Sequence, residues 1–254
     1  MSVGDDGDAR RRLEAGIPEA SALLYRERQD EILFSLRESR RYPPASLTKL
    51  LTLCLIDERL EERGLDPATR LAMPADVERV DSWWGFAPAE RVGIDTLMQA
   101  AAVVSANEAA NALADWHSGS AEAFTRLLNE RAKVLGMEAT TFSSPSGLGR
   151  HQQTTVTDML RLVRHVHARH PRIAQLCARQ SFEWNGRSHP NTNRLLSSLP
   201  GACGMKTGTL GGRINNIAFT ARRGGELYVA IVLGAPTKVS RDEAVRLLME
   251  SLAP

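Results

Sequence analysis

Ser46 and Lys49 stand three residues apart in Pro44-Ala45-Ser46-Leu47-Thr48-Lys49, where an apolar helical pattern begins. Residues at this spacing on a helix project from one face, so the hydroxyl and the amine can meet. A serine hydroxyl is a poor nucleophile at its own pKa and needs a neighbouring base. A lysine can be that base once burial or nearby positive charge lowers its pKa from about 10.4 toward roughly 7 to 8. The start of a helix also presents the Ser46 backbone N–H to a developing oxyanion. Taken alone, the pair reads first as a helix cap after Pro44, because serine is a favoured N-cap.

Two further groups of residues change that reading. Ser105, Ala106 and Asn107 interrupt two helical runs in an alanine-rich stretch, which puts a hydroxyl and an amide in a connection that can face a cleft. Lys206, Thr207 and Gly208 precede a C-terminal hairpin signal. They offer a cation, a hydroxyl and a glycine that lets a substrate backbone approach an edge strand. Ser-x-x-Lys, Ser-x-Asn and Lys-Thr-Gly in this order are the signature of penicillin-recognising serine enzymes. With the flanks Ser105 to Ala110, Leu135-Gly136-Met137 through Pro145-Ser146-Gly147-Leu148, and Gly204-Met205 before Lys206, they resemble the low-molecular-mass penicillin-binding proteins of the D-alanyl-D-alanine carboxypeptidase family. The resemblance runs from Ala20 to Leu252.

The resemblance implies roles. Ser46 would attack the carbonyl of the penultimate D-alanine and form an acyl-enzyme, with Lys49 taking and returning the proton. Ser105 would relay a proton to the leaving group, Asn107 would hold the substrate amide, and Lys206 would favour a deprotonated Lys49. The Ser46 and Thr209 backbone N–H groups would form the oxyanion pair beside Gly208. Thr207 and Arg241 are the candidates for the substrate carboxylate, which calls for hydroxyl and guanidinium donors; on the residues alone, Arg241 is equally an exposed charge in the first turn of a helix. The expected partners are a peptidoglycan stem peptide ending in D-Ala-D-Ala and β-lactams as covalent inhibitors, with no cofactor and no metal. The expected location is extracytoplasmic, although no signal peptide is visible. A D,D-endopeptidase, a β-lactamase and a non-catalytic penicillin-binding module are the rival functions. Class A β-lactamases deacylate through a loop glutamate, and residues 143–157 contain no Asp or Glu.

Departures from the family pattern are Cys203, where an aspartate is common, and Thr209-Leu210-Gly211-Gly212-Arg213 after Gly208, where a second threonine and an Ala-Gly pair are usual. The family's second all-strand domain and membrane-binding tail are not expected in this chain.

The elements that must position these groups follow from periodicity. Ala20–Tyr25 and Ile32–Leu36 read as an antiparallel hairpin, and Ser46–Arg63 as a buried helix closed by Gly64. Helices are expected over 95–104, 108–116 and 120–135, and from about Thr157 to before Pro171. The stretch through Asn185, Gly186, Pro190, Asn191 and Asn193 reads as loop, and Asn216–Thr220 with Glu226–Leu233 as a second hairpin. Ser240 with Glu243 predicts a capping box for a last helix. Strands at both ends with helices between imply an α+β, β-lactamase/transpeptidase-like fold in one domain. Its mainly antiparallel sheet is built from both termini (about 18–62 and 159–254), with a helical portion at about 63–158 and helices on both faces. Residues 1–15 are expected to be disordered.

Composition excludes other classes. Thirty-two Lys and Arg against thirty Asp and Glu leave a formal charge of +2, with no field that argues for nucleic acid. Cys54, Cys177 and Cys203 form no C-x-x-C pair and read as free thiols. His165, His167 and His170, interleaved with Arg161, Arg164 and Arg169, read as a solvated cationic face near a helix C-terminus. Trp83 and Trp84 read as a packed loop. The residues after Glu250 are too few for an amphipathic anchor.

Overall fold

The computed structural model describes residues 3–81 and 83–250. The order is α1 (Val3–Gly16), β1 (Ser21–Arg26), β2 (Glu31–Leu36), α2 (Thr48–Arg63), β3 (Arg70–Ala72), β4 (Arg91–Gly93), α3 (Ile94–Val103), α4 (Asn107–Ser118), α5 (Ala121–Val134), α6 (Val156–Arg169), α7 (Pro171–Cys177), β5 (Ser181–Trp184), β6 (Arg187–Pro190), β7 (Ala202–Leu210), β8 (Ile214–Arg223), β9 (Glu226–Ala235) and α8 (Lys238–Glu250). A 3-10 turn, Ala45–Leu47, leads into α2.

The main sheet is antiparallel throughout, in the order β2-β1-β9-β8-β7. The chain termini therefore meet in one sheet, with β1 seated against β9. Side chains alternate across a strand, and the two faces of this sheet feed separate cores. From β9, Val229, Ile231 and Leu233 enter the core shared with α2 and the helical portion. Tyr228, Ala230 and Val232 enter a second core under α1 and α8. Strand β1 divides in the same way, with Leu23 and Tyr25 on one side and Ala22 and Leu24 on the other. A sheet apolar on both faces needs a helical layer on each, and both are present. The α+β class and the antiparallel sheet built from both termini are as expected.

Helix α2 runs through the larger core, with Leu50, Leu51, Leu53, Cys54 and Ile56 fully buried. Gly64, left-handed at φ +58°, ends it.

Several expectations require correction. Residues 3–15 form most of α1, rather than a disordered segment. Asp5 to Arg12 are too polar to show an amphipathic stripe, but Leu13 and Ile17, one turn apart, are buried in the second core with Val245 and Leu248 of α8. Pro171 stops α6 and also occupies the first turn of α7, where its missing N–H is not needed. The stretch read as loop contains the β5–β6 hairpin, turned by Asn185 and Gly186 at φ +49° and +71°, the positive-φ pair that a tight hairpin favours. The cap of α8 is Thr237, whose Oγ1 accepts from the Ser240 N–H at 3.0 Å, so Ser240 lies one turn inside the helix. The three histidines do not form a solvated face. His170 is 3% exposed and its Nδ1 lies 3.3 Å from Asp57 Oδ2 of α2, because α7 folds back over the end of α6. Trp84, as expected, packs among Phe86, Phe182 and His189. The residues after Glu250 lie outside the described residues.

Leu13 is 1% exposed, and truncating a buried leucine costs about 2–5 kcal/mol. Leu13→Ala is therefore expected to lower unfolding free energy within that range in urea denaturation. A change below about 0.5 kcal/mol, the usual size for a surface substitution, would show that α1 is not docked on α8 in solution.

Candidate active site

Ser46 sits in the 3-10 turn and Lys49 one turn later in α2, with Lys49 Nζ 2.9 Å from Ser46 Oγ. Ser46 is half-buried, whereas Lys49 is wholly buried. The lysine amine has two more partners, Asn107 Oδ1 at 2.6 Å and the Ser146 carbonyl at 2.8 Å. Burial drives the Lys49 pKa well below the ordinary lysine value, the charge of Lys206 adds to that effect, and Glu108 opposes it. The neutral amine has two N–H groups and one lone pair. Asn107 Oδ1 and the Ser146 carbonyl can only accept, so they take the two N–H groups. Of the three partners, only the Ser46 hydroxyl can donate, and the lone pair is left facing it.

The backbone under Ser46 is held from three sides. Ala45 is left-handed at φ +50°, an uncommon conformation for a residue with a Cβ. The Thr48 hydroxyl donates to the Ala45 carbonyl at 2.9 Å. Asn216 of β8 donates to the Pro43 and Pro44 carbonyls at 2.8 and 3.1 Å. From the far side comes the 143–152 segment. Gly147, at φ +81°, lies so close that any Cβ would overlap the Ala45 carbonyl, and Thr52 of α2 donates to the Pro145 carbonyl at 2.7 Å. This segment meets the Ser46–Lys49 pair through backbone carbonyls.

Ser105 lies between α3 and α4 with φ +65°, and Asn107 opens α4. The Asn107 amide nitrogen donates to the Asp81 carbonyl at 3.0 Å while its oxygen accepts from Lys49. The neighbouring Glu108 is turned away from Lys49, accepting from the Trp84 and Gly85 N–H groups at 2.8 and 3.0 Å.

Strand β7 forms the opposite wall as the edge of the main sheet. Lys206 is 1% exposed, and burial brings its pKa down to about 8, with Cys177 raising it and Arg241 lowering it further. Cys177 is itself buried, which pushes its thiol up to about 12 and leaves it uncharged at neutral pH. The Thr207 hydroxyl donates to the Thr192 hydroxyl at 2.8 Å. A Cβ on Gly208 would stand 2.9 Å from the Pro44 carbonyl and 3.1 Å from the Ser46 nitrogen, so this glycine lets β7 close against the serine. Thr209, next along the edge, is exposed, with Oγ1 3.4 Å from Asn215 Oδ1. Arg241, in the first turn of α8, is 2% exposed and donates from Nε to Asp242 Oδ1 at 2.8 Å; the reading of an exposed charge there does not hold.

Ser46, Lys49 and Asn107 are joined directly by hydrogen bonds, Lys206 adds its charge to theirs, and Gly208 lies against Ser46. Sequence reasoning missed the Ser146 carbonyl, Thr192 and Asn216. Ser146 and Gly147 lay within a family-like flank, but a backbone acceptor leaves no residue-type signal. Thr192 and Asn216 reach the site only through tertiary contact.

This fold is that of the penicillin-binding and transpeptidase proteins. Penicillin-binding protein D2 from Listeria monocytogenes, in a crystal structure described as the ampicillin-bound form, superposes with a TM-score of 0.82 at 31% identity, over 91% of this chain and 95% of that one. The chain belongs to the D-alanyl-D-alanine carboxypeptidase family, Peptidase_S11, which matches residues 10–237. Curated relatives include the D-alanyl-D-alanine carboxypeptidases DacF of Bacillus subtilis, 27% identical over 96% of this chain, and DacC of Escherichia coli, 31% identical over 86%. This chain spans 64% and 57% of their respective lengths.

Gly208→Ala would set its methyl against the Pro44 carbonyl, the Ser46 nitrogen and Ala45 Cβ, so β7 must draw back from Ser46, and circular dichroism checks that the variant is folded. It should slow acylation by a fluorescent penicillin on the order of 10²-fold or more, the effect of losing one oxyanion donor. Labelling at the parental rate would remove the close approach of β7 to Ser46 from the account.

Proposed function

We propose that this chain is a serine D-alanyl-D-alanine carboxypeptidase that removes the terminal D-alanine from peptidoglycan stem pentapeptides through an acyl-enzyme on Ser46. The observation that carries this reading is the bonding of Lys49, a wholly buried amine whose other two partners can only accept. In the reaction, the Ser46 hydroxyl proton passes to Lys49 Nζ as Oγ attacks the carbonyl of the penultimate D-alanine. The Ser46 and Thr209 N–H groups hold the resulting oxyanion. The proton returns through Ser105 to the departing D-alanine, and water then cleaves the ester by the reverse route. Asn107 and Ser105 line the cleft beside the scissile bond. Thr207, Lys206 and Arg241 hold the substrate carboxylate, with Lys206 and Arg241 supplying the positive field. The chain acts outside the cytoplasmic membrane, on the cell wall. Among the described residues no helix is long and apolar enough to cross a membrane.

A β-lactam carbonyl fits the same oxyanion site and acylates Ser46. The segment from Ser143 to Gln152 reaches Lys49 through the Ser146 carbonyl, and residues 143–157 contain no carboxylate that could activate water. The penicilloyl ester is therefore expected to be long-lived, and rapid, sustained nitrocefin turnover would count decisively against this reading.

Two measurements test the main reaction. D-alanine release from a pentapeptide stem should fall on the order of 10⁴-fold or more in Ser46→Ala, as for removal of other serine nucleophiles. Cleavage of a cross-linked dimer with no D-alanine release from the pentapeptide would replace the carboxypeptidase by an endopeptidase. The second is the pH dependence of penicillin acylation. The base must be neutral, so the rate rises with pH through the lowered Lys49 pKa. The cleft cation must be charged, and Lys206 loses its proton above about 8, so the rate falls again on the alkaline side. A rate still climbing beyond about pH 10, where an ordinary lysine titrates, would remove Lys206 from the mechanism.

A further inference from the structure

Glu58 of α2, His165 of α6 and His170 at the α6–α7 junction bring three donor atoms within 4.8 Å of one another. His165 Nε2 and His170 Nε2 are 3.3 Å apart, and His170 Nε2 is 3.4 Å from Glu58 Oε1. Zinc bonds to histidine nitrogen and carboxylate oxygen at about 2.0–2.2 Å, and a tetrahedron of such bonds has edges of about 3.3–3.5 Å. The two measured separations already match that edge.

The surroundings orient the donors as metal ligands are oriented. His170 Nδ1 faces Asp57 Oδ2 at 3.3 Å, with both side chains buried. A proton on Nδ1 satisfies that carboxylate and leaves the Nε2 lone pair pointing at His165 and Glu58. Carboxylate–histidine–metal arrays are built in this way. Without a cation, that lone pair confronts the Glu58 oxygen, acceptor against acceptor. Glu58 is held by an ion pair with Arg131, and Asp57 by Arg172 at 3.3 Å. The Arg131 guanidinium must share Glu58 with an incoming cation, which sets the affinity below that of a His₂Glu site with no competing charge.

We infer that Glu58, His165 and His170 form a binding site for a divalent transition metal, zinc first among them, with water in the fourth position. Imidazole with one carboxylate suits zinc over magnesium or calcium, which prefer all-oxygen sites. The site lies nine residues beyond Lys49 on α2, about 13 Å along the helix axis, so it is separate from the Ser46 cleft and independent of the chemistry there. A bound ion would tie the helix that carries Lys49 to the end of α6 and the start of α7.

The test uses the full chain, stripped with a chelator, dialysed and titrated with zinc chloride in a calorimeter. One zinc per chain is expected, with a rise in melting temperature, and cobalt(II) in place of zinc should give the intense visible absorption of a tetrahedral site. His165→Ala should weaken binding at least about 100-fold, and Asp57→Asn about 10- to 100-fold, the range for a group that supports a ligand. His151→Ala, at an exposed histidine, should leave binding unchanged. Because His165 is only half-buried, its variant is expected to fold, and circular dichroism and undiminished penicillin labelling of Ser46 would verify this. Absence of saturable zinc binding, or parental affinity in folded His165→Ala, would overturn the site. The Ser46 reading would be untouched.

Discussion

A lysine amine with no solvent exposure lies at the start of α2, where every residue from Thr48 to Asp57 is buried, and much of the fold around it answers that placement. Desolvating a charged amine is costly unless it is paired or becomes neutral. Lys49 is given acceptors but no counter-ion at hydrogen-bond distance among the described residues, and a second buried lysine, Lys206, works against its charge. The neutral form is thus the one the protein supports. Holding it requires a helix buried on every side, a loop delivering the Ser146 carbonyl, and an asparagine at the head of α4.

The two-faced sheet makes this possible. One face carries the core in which α2 is immersed, and the other is sealed by α1 and α8. With the sheet covered on both faces, its β7 edge is left free to serve as a cleft wall. Gly208 then decides how near that wall comes to Ser46. A methyl at this point would lie against the Ser46 nitrogen, in the space that the proposed mechanism gives to the oxyanion.

The same helix organises a second polar cluster. Asp57 and Glu58 emerge from α2 two to three turns beyond Lys49 and meet His165, His170, Arg131 and Arg172. One end of α2 is therefore built around neutralising a cation, and the other around orienting imidazoles between carboxylates. Buried polar clusters of this kind specify which helices pack together as well as how tightly.

From sequence alone, the spacing of Ser46 and Lys49, the order of the three motifs and the apolar runs at both ends of the chain pointed to the fold class and to the residues proposed for the site. These are local or ordered patterns, and periodicity records them directly. The C-terminal cap of α2 at Gly64 is equally local. What only the tertiary structure decided was contact between distant segments. Leu13 and Ile17 look like isolated apolar residues in a polar stretch until α8 and the sheet receive them. His165 and His170 look like a solvated basic face until α7 folds back and sets them against Asp57 and Glu58. Arg241 reads as a surface charge until it is buried 2% exposed beside Asp242. The Ser146 carbonyl, which completes the coordination of Lys49, belongs to the backbone, and no choice of side chain in the sequence could reveal where a backbone acceptor points.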